Sequence, residues 1–97
     1  MKLRILKKKI EDDTVQLTMI GELTIYTVVK LKDILLKQIG EIAGVVMNLG
    51  GIDDADTAGF QLLLFLRREA DAAGKTLVFE DPSSRLKSIF SLYNEKI

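Results

Sequence analysis

Apolar residues change their spacing several times along the chain, and each change marks an element. Leu3, Ile5 and Lys7 alternate with Arg4, Leu6 and Lys8, and Val15, Leu17 and Met19 alternate with Gln16, Thr18 and Ile20. A period of two is the signature of a strand with one face on the core. The polar turn Glu11-Asp12-Asp13-Thr14 between these runs predicts an antiparallel hairpin. Gly21 is expected to end the second strand, with Gly21-Glu22-Leu23-Thr24 as a loop. The period then lengthens. Val28, Leu31, Leu35 and Ile39 fall three or four apart, Ile34 and Ile42 widen the stripe, and Lys30, Lys32, Asp33 and Lys37 take the wet side. That is an amphipathic helix, with Thr24 or Thr27 expected to cap its start and Gly40 to stop it.

The nearly continuous apolar run 44–49 reads as a strand buried on both sides. The glycine-rich, acidic stretch 50–56 is expected to be a loop, followed by a helix over 57–73 that ends at Gly74. Residues 76–80 predict another short strand. Asp81-Pro82 predicts a cap followed by proline at the first helical position, opening a last helix with Leu86, Ile89, Phe90 and Tyr93 on one face. Strands that alternate with helices of this length imply parallel, right-handed crossovers. The expected fold is a single small α/β domain over residues 1–97. It has a mixed four-to-five-stranded sheet, an N-terminal antiparallel hairpin followed by parallel crossovers, with helices packed on it.

Composition narrows the function. At 97 residues, 47% hydrophobic and 29% charged, the chain is long enough and apolar enough for one folded core. It contains neither cysteine nor histidine, which removes thiolate nucleophiles, thiolate zinc sites and the commonest general base and metal ligand. No catalytic residue, metal or cofactor is therefore expected, and the chain reads as a non-enzyme. Fourteen basic residues balance fourteen acidic ones, so no nucleic-acid partner is expected. The charges are segregated, with Lys2, Arg4, Lys7, Lys8 and Lys9 ahead of Glu11, Asp12 and Asp13. On an exposed strand such lysines discourage edge-to-edge aggregation. The longest uninterrupted apolar run, 62–66, is far below the ~20 residues of a membrane span. With no signal-peptide pattern at the N-terminus, neither membrane insertion nor export is expected, and the cytoplasm is the expected compartment.

The chemistry concentrates in Ile52-Asp53-Asp54-Ala55-Asp56-Thr57-Ala58-Gly59-Phe60. Asp56 and Thr57 are both good N-caps. The acids do not have the spacing of a calcium loop; an aspartyl-phosphate receiver would carry a pair of acids for magnesium after its first strand, whereas this chain has basic residues near its start and is short for that fold. A third reading makes Thr57 a phosphorylatable hydroxyl at a helix N-terminus, where unpaired N–H groups and the helix dipole accommodate phosphate. Asp53, Asp54 and Asp56 would then surround the added charge, altering the local potential without altering the fold. Gly50-Gly51 lacks the lysine and spacing of a P-loop. In the helix over 57–73 most apolar residues are expected in the core, with Phe60 and Leu64 the candidates for an exposed patch. Ser83 and Ser84 suit a helix start, and Ser88 and Ser91 the wet face of the last helix.

Taken together, Gly21-Glu22-Leu23-Thr24, Val45-Val46-Met47-Asn48-Leu49-Gly50-Gly51-Ile52, Asp56-Thr57-Ala58-Gly59, Gly74-Lys75 and Asp81-Pro82-Ser83 resemble the STAS domain of bacterial anti-sigma factor antagonists. The resemblance covers essentially the whole chain in the right order. It implies that Asp56 matches the family aspartate, Thr57 the phosphoacceptor and Gly59 the glycine, with threonine where serine is usual. It further implies a partner of the anti-sigma factor or serine/threonine-kinase type, bound through Asp53, Asp54, Asp56, Ala58, Gly59 and Phe60 together with Gly21 and Thr24, and released by phosphorylation. The alternative is a constitutive STAS subunit or scaffold of a chemosensory, two-component or lipid- or anion-transport assembly, in which Thr57 is only a helix cap.

Overall fold

The two period-two runs fold back on each other as β1 (Leu3–Glu11) and β2 (Thr14–Leu23), an antiparallel hairpin turned at Asp13, whose φ is +59°. In the computed structural model, which describes residues 2–95, α1 (Val28–Glu41), β3 (Gly44–Ala55), α2 (Thr57–Ala72), β4 (Thr76–Glu80) and α3 (Ser84–Leu92) follow in the predicted order. The sheet order is β1-β2-β3-β4, with β2, β3 and β4 parallel.

Burial along the central strands shows where the helices lie. Val15, Leu17 and Met19 of β2 and Val45, Met47 and Leu49 of β3 are buried, whereas Gln16, Thr18, Val46 and Asn48 between them are only half-buried. The helices therefore cover one face, where Leu31, Leu35, Leu63, Leu66, Leu86 and Phe90 complete the core. This corrects the reading of the apolar run 44–49 as a strand buried on both sides. The uncovered face carries a polar row instead: Gln16 Nε2 donates to Glu80 Oε1 at 2.6 Å, and Asn48 Nδ2 approaches the same oxygen at 3.5 Å.

Both strands that pass through glycines run further than expected. β2 continues through Gly21 to Leu23, and β3 continues through Gly50, Gly51, Asp53 and Asp54 to Ala55, because the two extensions pair with each other. The register shifts twice, between Thr18 and Ile20 and between Gly21 and Glu22, so β3 accommodates extra residues as bulges. Gly21 belongs to this irregular stretch. Its φ is +120°, and a Cβ there would collide with the Lys2 carbonyl oxygen. Glycine here permits close strand approach and does not end the strand. Two helix ends also differ. α1 runs through Gly40 to Glu41, and α3 is capped by Ser83, whose hydroxyl accepts from Leu86 N at 3.3 Å, in place of Asp81.

Leu63 is fully buried, while Val78 on the open face is 52% exposed. Leu63→Ala should lower the unfolding free energy by about 2–5 kcal/mol. Val78→Ala should change it by less than about 1 kcal/mol. Urea unfolding followed by circular dichroism reads both; similar losses would refute the one-sided core.

Candidate functional site

β2 and β3 are parallel neighbours, so the connections leaving them toward α1 and α2 start side by side. Asp56 holds them together. Its N–H donates to the Leu23 carbonyl at 3.3 Å, tying the exit of β3 to the end of β2. Its carboxylate then divides its oxygens. Oδ1 accepts from Gly59 N at 3.1 Å, the N-cap bond of α2, and Oδ2 accepts from Ile25 N at 3.0 Å in the β2–α1 connection. One side chain thus satisfies an orphan donor of a helix terminus and pins the neighbouring loop.

Thr24 and Thr27 shape that loop reciprocally. Thr24 Oγ1 accepts from Tyr26 N at 3.3 Å, while Thr27 Oγ1 accepts from Thr24 N at 3.1 Å and reaches the Glu22 carbonyl at 2.9 Å. Both threonines thus shape the turn that leads into α1, and Thr24 is buried. Gly59 is buried as well; a Cβ there would run into the Leu23 carbonyl oxygen and side chain. Its lack of a side chain lets the first turn of α2 press against the end of β2.

Thr57 is the first residue of α2 and is exposed. The cap role belongs to Asp56, not to Thr57. The Thr57 hydroxyl lies 3.5 Å from the hydroxyl of Tyr93, just after α3. Tyr93 stacks on Phe60 with centroids 4.7 Å apart, and Phe60 meets Phe90 edge-on at 4.9 Å. Phe60 is only 4% exposed and Leu64 is half-buried against the core, so the expected exposed patch is not formed by these two. For Phe60 the reason is the approach of α3 and of the residue after it, since Phe90 and Tyr93 pack on its ring.

The three acids do not converge. Asp56 is occupied by its two amides, exposed Asp54 lies opposite Glu22 in the strand register, and Asp53 lines a shallow polar cleft with Asp81, Ser83 and Arg85. Among the described residues no group of three or more carboxylates is arranged to hold a cation. Ala58 is half-buried beside them.

Two features escaped the sequence reading. Tyr93 was visible only as the last position of an apolar stripe, and its contact with Thr57 depends on how α3 packs. Ile25, Tyr26 and Val29 are 61%, 85% and 76% exposed and flank the Asp56 bridge through Ile25. Their signal was present: they are apolar residues lying off the Leu31-Leu35-Ile39 stripe that α1 buries.

The family model described as "Mlab, STAS domain" matches residues 6–95. The chain belongs to the STAS family. Solved structures agree on the fold. The anti-sigma factor antagonist SpoIIAA in its unphosphorylated form is similar at 19% identity and a TM-score of 0.77, over 94% of this chain and 81% of that one. The Bacillus cell fate determinant SpoIIAA in the phosphorylated form is similar at 21% identity and a TM-score of 0.75, over 93% and 83%. A putative anti-sigma factor antagonist from Thermotoga maritima is similar at 18% identity and a TM-score of 0.78, over 93% and 78%. No curated protein matches this STAS domain in sequence. Among its described residues, no helix is long and apolar enough to cross a membrane.

The bridge at Asp56 is testable by separating its two bonds. Asp56→Ala should cost about 1–2 kcal/mol of stability and speed amide exchange at both Gly59 and Ile25. Asp56→Asn retains one carbonyl oxygen for the cap, so it should speed exchange mainly at Ile25. Unchanged exchange at Ile25 in both variants would refute the bridge. Gly59→Ala should destabilise by about 1–3 kcal/mol through the collision with Leu23, read from the urea midpoint.

Proposed function

We propose that this STAS domain is a cytoplasmic, non-enzymatic binding switch of the anti-sigma factor antagonist type. In this reading a partner protein docks on residues 53–60 and the adjoining β2–α1 connection, and phosphorylation of Thr57 releases it. The carrying observation is the division of labour at the start of α2: Asp56 makes the cap bond, which leaves the exposed Thr57 hydroxyl without a capping duty. Ile25 and Tyr26 supply apolar area beside it, Asp53 and Asp54 supply exposed charge, and Gly21 and Thr24 shape the backbone that presents them. Gly59 and buried Phe60 act through packing, not through direct contact.

A phosphoryl group on Thr57 would add about −1.5 to −2 charges next to these acids. The helix N-terminus tolerates that charge, so the fold survives, but a partner face would have to desolvate it. The transfer itself needs a partner kinase: the γ-phosphoryl group of its ATP passes to Thr57 Oγ1, the hydroxyl proton leaves, and ADP is released. The reading is supported by the likeness of this fold to SpoIIAA in both its unphosphorylated and phosphorylated forms. One observation favours a second reading, a constitutive STAS subunit of a chemosensory or transport assembly: the Thr57 hydroxyl already has a partner in the Tyr93 hydroxyl at 3.5 Å.

The partner retained by immobilised wild-type protein from its own cells is the reagent that decides. Thr57→Ala should bind it as wild type does, whereas Thr57→Asp and authentic phosphothreonine protein should bind at least about tenfold more weakly, roughly 1.4 kcal/mol. Equal affinities for all forms would sink the switch. Intact mass of the native protein should show one added phosphoryl group mapping to Thr57; its absence under every growth condition would favour the constitutive subunit.

A further inference from the structure

β1 stands at the end of the sheet order, hydrogen-bonded to β2 on one side and to no strand on the other among the described residues. An edge of nine residues is a long template for another extended chain. α1 leans toward β3 and α2, and a trough remains between it and β1. Two contiguous cavities of about 300 and 470 Å³ run along it, sharing Leu3, Ile5 and Ile34. The floor is apolar, with Leu3, Ile5 and Leu17, and the wall offers Val29 and Ile34, which are 76% and 44% exposed. Every charged residue lining the trough is basic: Lys2, Arg4, Lys7 and Lys30.

We propose that this edge and trough form a second docking surface, which takes an extended acidic segment of a protein partner as an added strand beside β1. The period of a strand specifies the segment. Alternate side chains would drop into the apolar trough and should be Val, Ile or Leu, while Asp or Glu residues among them would face the basic rim. A second copy of this chain fits poorly, because full-length antiparallel pairing of β1 with β1 would centre on Lys7 and set two lysines directly opposite, with Lys8 of each copy on the adjacent positions. The same lysines that oppose self-pairing favour an acidic strand. A flat anionic membrane would meet the charges but could neither fill the trough nor bond the free backbone edge.

This surface adjoins the Thr57 site through Tyr26, yet it does not depend on the reading of Thr57, so the experiment uses wild-type and Thr57→Ala protein in parallel. The isotope-labelled full chain is titrated with a capped ten-residue peptide alternating Val and Glu, with its Val/Lys counterpart, and with phosphatidylglycerol vesicles. The acidic peptide should shift the amides of Leu3, Ile5 and Lys7 and the Ile34 methyls, and protect outward-facing β1 amides from exchange, equally in both proteins. Ile34→Glu and Lys7→Glu should each weaken it at least tenfold without changing the circular dichroism spectrum. The proposal is overturned if millimolar acidic peptide leaves β1 unshifted, if the basic peptide binds as well, or if shifts centre on the open sheet face. Vesicle binding without peptide binding would equally overturn it and assign the rim to lipid.

Discussion

The carboxylate of Asp56 is the contact on which the geometry of the candidate site depends. Two parallel strands finish side by side and two helices start from them, so several backbone donors are left without partners in a small volume. Asp56 answers two of these with its two oxygens, one in α2 and one in the loop before α1. Its own N–H closes on Leu23. Gly59 completes the arrangement by sterics, since any side chain there would push α2 away from Leu23. Thr57 and Ile25 are therefore held as parts of one rigid surface, although 32 positions separate them in sequence.

The second constraint is the one-sided sheet. Three helices on one face give a sufficient core but leave the other face and both edges to manage themselves. β4 is short, and the open face is stitched by Gln16, Asn48 and Glu80. β1 is long and basic instead. Because α1 connects β2 to β3 and packs toward β3 and α2, it does not close down on β1, and that displacement leaves the trough open at the sheet edge.

Much of this was legible in the sequence. All seven elements, the hairpin and the start of α2 follow from local periodicity and from the capping chemistry of Asp56. The failures share a cause. Gly21, Gly50 and Gly51 look like breakers locally, yet β2 and β3 continue through them because each extension finds a partner 31 or 32 positions away in the chain. Pairing at that range leaves no periodic trace. Phe60 was misplaced for the same reason: its burial is decided by α3, far along the chain, and by the stack with Tyr93. Ile25, Tyr26 and Val29 belong to no periodic pattern: the first two precede α1, and Val29 lies off the stripe that α1 buries.

The location of the site follows from topology. In parallel sheets the carboxyl ends of neighbouring strands deliver loops to the same edge of the fold, and ligand-binding groups gather there. Here that end carries an exposed Thr57, exposed acids and exposed apolar side chains over a tightly bonded frame. A frame whose carboxylate already holds one amide on each oxygen has little reason to rearrange when charge is added one residue away. The change must then be felt by whatever lies on the surface. Under the proposed switch, such a frame would present a phosphoryl group on Thr57 to a partner without passing the change inward, a task that needs neither histidine nor cysteine.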